Sequence, residues 1–423
     1  MSKKSKLEGA LCLFVGCVSM LSAAPGRAAD LGGNCCADLE ERVAELEATT
    51  ARKGNRKVSL TVSGWVNQAV FAWDDGVERN AYIGTNALEQ DRFRFVGEAK
   101  ISEGWSAGYV LEIGFNGADS KRFSQDDDGA INNLVVRKTA WFIKNKDLGK
   151  LSVGRQDTAT YHLIDNVDTT LTRNVSDFEA AGVALGAFKI RVDGAFVGNT
   201  TWINVMGGFN NGTPGQSGLR NVVRYDTPTL HGFTGTVTWG EDDQFEAAVK
   251  YREEVGDFKL SGAIGYGESS DPQTNGSQCA DTVGVGNCRW WGVGGLVQHV
   301  PTGIFIYGGY AENQIDLTPA QAAAGANDQS DTIYGQAGIE RKWLPLGKTN
   351  LFGEYRHDEV GLSRGADGSQ LDFWAVGAVQ SIEKAEMVLY SVYRHYSGEI
   401  ETASVKSDLD DFQMVITGAK INF

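Results

Sequence analysis

The chain has 423 residues, a mean hydropathy of −0.26 and a formal net charge of −15, with 53 Gly, only 7 Pro and 10% aromatic residues. Many aromatics and glycines with little proline suit numerous strands joined by tight turns and argue against a disordered chain. The acidic balance leaves no basic face for nucleic acid, so no nucleic-acid partner is expected.

In chain order, the N-terminus reads as a secretory signal. Lys3, Lys4 and Lys6 form a basic region, Leu11 to Ala24 is apolar, and small residues follow up to Ala28, so residues 1–28 are expected to be removed. That apolar stretch is short of the roughly 20 residues a spanning helix needs. No later stretch resembles a transmembrane helix, so residence in a membrane would require a barrel. Over residues 29–57, Cys36, Leu39, Val43, Leu46 and Thr50 recur at spacings of three and four between charged residues. This is a two-heptad coiled-coil seam or a simple surface helix. Cys12 and Cys17 leave with the signal; Cys279 and Cys288, nine apart in a polar stretch, are expected to form a disulfide. Cys35 and Cys36 are adjacent and read as inter-chain links or free thiols.

From Val58 the period changes to two. In Arg92 to Phe115, Phe93, Phe95, Gly97, Ala99 and Ile101 alternate with Arg92, Arg94, Val96, Glu98 and Lys100, and the pattern resumes after Glu103-Gly104. Such a hairpin has one apolar and one charged face. Sixteen segments of this kind are expected: 57–73, 90–102, 105–116, 134–146, 149–156, 219–227, 232–240, 243–254, 257–267, 289–299, 303–313, 331–343, 348–358, 370–382, 386–397 and 411–423. Short turns alternate with long polar loops, the longest at about 157–218. That asymmetry is the outer-membrane barrel pattern, with apolar side chains toward lipid and polar ones toward a wet lumen. Phe71, Trp73, Trp105, Trp141, Phe142, Trp290, Trp291 and Trp343 lie near strand ends, where an interfacial girdle is expected. The fold class is therefore all-β, a closed antiparallel transmembrane barrel of 16 strands. An extra hairpin in the apolar part of the long loop, 183–209, would make 18.

Four motifs carry a family resemblance. They are Asp91-Arg92-Phe93-Arg94-Phe95-Val96-Gly97-Glu98, Ser152-Val153-Gly154-Arg155-Gln156, Arg220-Asn221-Val222-Val223-Arg224-Tyr225-Asp226-Thr227-Pro228, and Gly418 with Ile421 and Phe423 at the C-terminus. In this order over 58–423 the chain resembles the general porins of Gram-negative outer membranes, of the alphaproteobacterial type. The resemblance implies a homotrimer in contact with outer-membrane lipid and lipopolysaccharide, and a C-terminal signal (Gly418, Ile421, Phe423) read by the barrel-assembly machinery. It also implies a periplasmic coiled coil before the barrel and a loop at 157–218 folded inward to narrow the pore. Arg92, Arg155 and Arg220 match the family's wall arginines; Arg94 and Arg224 share their parity. Strict alternation sets Arg155 beside Leu151 and Val153, so a bulge or an early strand end is needed to turn it inward. Asp157, Asp165, Asp168, Asp177 and Glu179 are the candidate loop acids.

The functional expectation is passive diffusion of small hydrophilic solutes and ions, weakly cation-selective from the net charge. The alternatives are a substrate-specific sugar or phosphate channel, and a structural protein tethered through its coiled coil. No catalytic pairing, cofactor motif or metal-ligand spacing is present among the five scattered histidines. Asp126-Asp127-Asp128-Gly129 lacks the further ligands of a calcium loop. No enzyme activity, cofactor or metal is expected.

Overall fold

The computed structural model describes residues 58–176, 178, 185, 187–206, 218–240, 243–270, 287–363 and 365–423. The signal, the coiled-coil segment, Cys35, Cys36 and Cys279 lie outside them.

The strands are β1 (Ser59–Asp74), β2 (Arg79–Thr85), β3 (Arg92–Ser102), β4 (Trp105–Ala118), β5 (Ala130–Asn145), β6 (Gly149–Asp157), β7 (Lys189–Val192), β8 (Ala195–Thr201), β9 (Leu219–Asp226) and β10 (Phe233–Gly240). They continue with β11 (Gln244–Val255), β12 (Phe258–Ser269), β13 (Cys288–His299), β14 (Ile304–Ile315), β15 (Gln329–Leu344), β16 (Gly347–Val360), β17 (Gly368–Ile382), β18 (Met387–Thr402), β19 (Val405–Asp408) and β20 (Phe412–Asn422). Sixteen of these close an antiparallel barrel in which each wall strand pairs with its sequence neighbours and β20 returns to β1. At the seam Gly64 and Phe423 exchange backbone hydrogen bonds of 3.0 Å, and the Phe423 ring lies 5.8 Å from Phe93. Closure leaves no strand edge, the condition for β-structure in lipid.

The extra hairpin in the long loop exists, but β7 and β8 pair only with each other as a separate two-stranded sheet. The barrel therefore has 16 strands, not 18. β2 and β19 extend the wall at the loop end, where the sequence reads as polar loop. β2 pairs with the upper half of β1 and β3 with its lower half, so residues 86–91 bulge inward between them.

Alternation decides what each side chain meets. Val62, Val66, Val70, Phe93, Tyr109, Val237, Val249, Ile264 and Ile333 are exposed on the outer face, while Asn67, Glu112, Thr236, Glu246, Gln336 and Arg356 are buried inside. Four of the eight aromatics expected in the girdle do not belong to it. Trp141 is 48% exposed but its neighbour Phe142 only 7%, and Trp291 is 38% against 1% for Trp290. Consecutive residues on a strand cannot share a face, so one of each pair must point inward. Phe71 and Trp73 also face inward. Trp73 lies 5.1 Å from Phe188 of the long loop, and Phe188 lies 4.8 Å from Phe412. Trp105, Trp141, Trp291 and Trp343 remain outside.

Cys288 begins β13, buried and disulfide-bonded. The Asp126–Asp128 run caps its own turn, with Asp127 accepting from the Gly129 N–H at 2.8 Å and Asp126 pairing with Lys189 at 3.3 Å. Among the described residues no group of His, Cys, Asp and Glu side chains could hold a metal.

Candidate functional site: the eyelet and its loop

After Asp157 the chain leaves the wall and crosses the lumen. It is held by polar contacts on one side of the barrel. The Thr160 N–H and hydroxyl both donate to Glu246 at 2.7 Å, and Tyr307 donates to the Ile164 carbonyl at 3.1 Å. Arg394 donates to the Val175 carbonyl at 2.8 Å and Arg356 to that of Phe178 at 2.7 Å. Arg394 also pairs with Glu354, and Arg356 with Asp358. Apolar seating accompanies these bonds. Ile164 sits over Gly292, Gly294 and Gly309, whose missing side chains make the socket: a Cβ on Gly309 would lie 2.5 Å from Ile164 Cγ2 and 3.0 Å from the Phe178 ring.

A second charged cluster lies on β3, β4, β5 and β20. Glu112 of β4 is fully buried and collects three arginines: Arg94 Nε at 2.6 Å, Arg137 Nε at 2.9 Å and Arg92 Nη1 at 3.4 Å. The Arg92 guanidinium and the Lys420 ammonium each lie 4.3 Å from the centroid of Trp65. Glu89, on the inward bulge, is within 3.6 Å of Lys420 and 3.5 Å of Arg173 from the loop. Burial alone would raise the Glu89 pKa, but Lys420, Arg173 and Arg92 outweigh it and hold the carboxyl at about 2. Arg173 also holds Asp165 at 3.0 Å, so it ties the loop to the wall.

Of the five arginines expected on the wall, Arg92 and Arg94 join this cluster. Arg224 faces the lumen lower down, bound to Asp226 at 2.7 Å and to the Asp157 carbonyl at 2.9 Å. Arg220 lies opposite Gln156 at the loop end of β9. Arg155 does not turn inward. β6 runs in unbroken register, Ser152 and Gln156 are buried, and Arg155 donates to the Val136 carbonyl on the outer side at 3.3 Å. The bulge is one strand away. Between Glu112 and Ile113 the β4–β5 register skips from Lys138 to Val136, leaving Arg137 as the extra residue. It swings inward to Glu112, with its Nη2 3.3 Å from the Tyr161 hydroxyl. Sequence alternation sets Arg137 beside Trp141 on the lipid face, so nothing local announces this. Replacing Arg137 with alanine is therefore expected to lower the anion-to-cation permeability ratio in bilayer recordings. Replacing Arg155 with alanine should leave it unchanged.

The three described loop acids are less available than expected. Asp157 pairs with Lys138 at 2.6 Å, and Asp165 is buried with His162 at 2.6 Å and Arg173. Asp168 is buried against the wall; Asp177 and Glu179 lie outside the described residues. Burial pushes the Asp168 pKa up to about 6, only partly offset by bonds from Thr172 and Thr170. Thr172 has one hydroxyl hydrogen but two acceptors, Asp168 at 2.7 Å and Gln336 at 2.9 Å. A protonated Asp168 resolves that conflict by donating to Thr172, which donates to Gln336. The folded state then binds this proton more tightly than the unfolded one, whose carboxyl titrates near 3.9. Stability falls as pH rises between about 4 and 6. Asp168→Asn is expected to raise the unfolding temperature at pH 7, by up to about 3 kcal/mol of stability, and to have little effect at pH 4. Thermal scans at both pH values check this.

A closed barrel with a charged, wet interior and a loop fastened across it defines an outer-membrane diffusion channel. The chain belongs to the Gram-negative porin family, which it matches over residues 18–401. Solved structures agree in fold. The anion-selective porin from Comamonas acidovorans is similar over 86% of this chain and 100% of its own, with a TM-score of 0.57 and 15% identity. OmpT of Vibrio cholerae in its trimer form gives 0.52 and 14%, over 86% and 99%. The Salmonella typhi OmpF complex with daunomycin gives 0.51 and 12%, over 88% and 99%. No curated protein sequence matches the chain.

Proposed function

We propose that this protein lets small hydrophilic solutes and ions diffuse passively across the outer membrane, working as a homotrimer of the alphaproteobacterial general-porin type. The observation that carries the reading is the inward loop, fastened to the lumen face of β11, β14, β16 and β18, together with the arginines gathered on the wall at β3, β4 and β5. The trimeric Vibrio protein of the same fold supports the oligomeric state, and the four sequence motifs support the lineage.

On selectivity the local charges weigh more than the net charge. Among the described residues, the acids expected to favour cations are engaged by Lys138 (Asp157) and Arg173 (Asp165) or buried (Asp168), while Arg92, Arg94, Arg137 and Lys420 crowd one wall around two carboxylates. In a narrow wet pore, charge at the constriction decides which ion passes. The reading is therefore a weak preference for anions. Proteoliposomes loaded with the purified protein should swell in solutions of small neutral sugars, at rates falling steeply with solute size. Equal rates for small and large sugars, or none above empty liposomes, would refute the diffusion reading.

A further inference from the structure

A second basic surface lies below the loop, toward the short turns, and the eyelet does not use it. A cavity of about 590 Å³ opens there between β9, β10, β11, β12 and residues 163–167 of the loop. Arg224, Lys250, Arg252 and a single carboxylate, Asp226, line it, with the hydroxyl-bearing Thr234 and Ser261 between them and Asn166 above. Alternation turns all three basic residues to the lumen: Val222 and Ala248 on their faces are buried, whereas Val223 and Val249 are exposed outside.

The carboxylates nearby are already committed. Asp226 takes the Arg224 guanidinium and the Thr236 hydroxyl, the latter at 2.9 Å. Asp157 holds Lys138, Glu246 accepts from Thr160, and Asp165 holds Arg173. Among the described residues neither Lys250 nor Arg252 has a carboxylate within ion-pair distance, and Arg252 donates to the Asn166 carbonyl at 3.0 Å. Lys150 adds a further charge, paired across the strands with Asp226. Like charges gathered against a low-dielectric wall repel one another. They raise the local concentration of anions. An oxyanion here would meet a planar guanidinium, a point-charge ammonium and neutral hydroxyl donors, the combination that recognises carboxylates and phosphate.

We infer that this cavity is a weak transit site for small oxyanions, carboxylates or phosphate, on the periplasmic side of the loop. The inference rests on the diffusion reading and names the solute class it favours. The test is planar-bilayer recording of the membrane-inserted protein in potassium chloride, with inorganic phosphate titrated into each side in turn. Phosphate should reduce the chloride current saturably, at lower concentration from the short-turn side. In the double variant Lys250→Gln/Arg252→Gln the half-blocking concentration should rise at least ~5-fold, as loss of charge-assisted contacts requires. Lys250→Arg should block like the wild type. If the double variant does not insert, Lys250→Gln read against Lys250→Arg gives the same comparison. An ohmic wild-type channel indifferent to phosphate, or block unchanged in the variants, overturns the inference alone. A wild-type protein that opens no channel overturns the diffusion reading and the inference with it.

Discussion

Replacing Glu112 with glutamine is expected to give the largest change of any single substitution in the wall. The glutamine keeps the volume and one acceptor oxygen but removes the charge that holds Arg92, Arg94 and Arg137 together. Three guanidiniums within reach of one another would then repel, with only Glu89, 3.9 Å from Arg92, to offset them. Removing one partner of a buried ion pair costs about 3–5 kcal/mol, and the partial exposure of Arg94 brings the expected loss to about 2–4 kcal/mol. The unfolding temperature followed by far-UV circular dichroism should fall accordingly. The same change makes the constriction more positive, so the chloride-to-potassium permeability ratio should rise. An unchanged ratio would mean that the arginines are not at the constriction.

The second large effect concerns the opposite wall. Gly309→Val puts a branched side chain where Ile164 and Phe178 already sit, both fully buried. Overpacking of this kind costs about 1–3 kcal/mol. The wall strand is held on both sides by its ladder with β13 and β15, so the loop must give way. Single-channel conductance should increase and become noisier as the loop lifts. Ile164→Ala in the same chain should restore the wild-type conductance, because the two side chains compete for one space. A Gly309→Val channel of wild-type conductance would show that the loop is not seated in this socket.

The wall was legible in the sequence to the extent that period two and turn chemistry dictate it. All sixteen wall strands fall where alternation sets them, and the register of Arg92 and Arg94 follows directly, as does the outward face of Phe93. The eyelet was only partly legible. Lys420 has the inward parity of Met414 and Ile416 and was available from the pattern, but nothing in β20 alone shows that its neighbour is Glu89. Glu89 enters the lumen because β1 changes partners from β2 to β3, a property of pairing rather than of composition. Arg137 depends on a bulge that leaves no glycine or proline as a marker. The pairing of the described loop acids was not legible, because an acidic stretch does not reveal which carboxylates its own arginine and the wall will engage. Net charge is a poor guide to selectivity for the same reason: it sums residues over the whole surface, whereas permeation responds to those within a few ångströms of the path.

The account stands most directly on one recording. Purified protein inserted in a planar bilayer, under a tenfold potassium chloride gradient, should open in discrete ohmic steps and reverse at a potential on the chloride side of zero. Discrete steps reversing on the potassium side would contradict the assignment of the eyelet charges, and the absence of steps would contradict the channel itself.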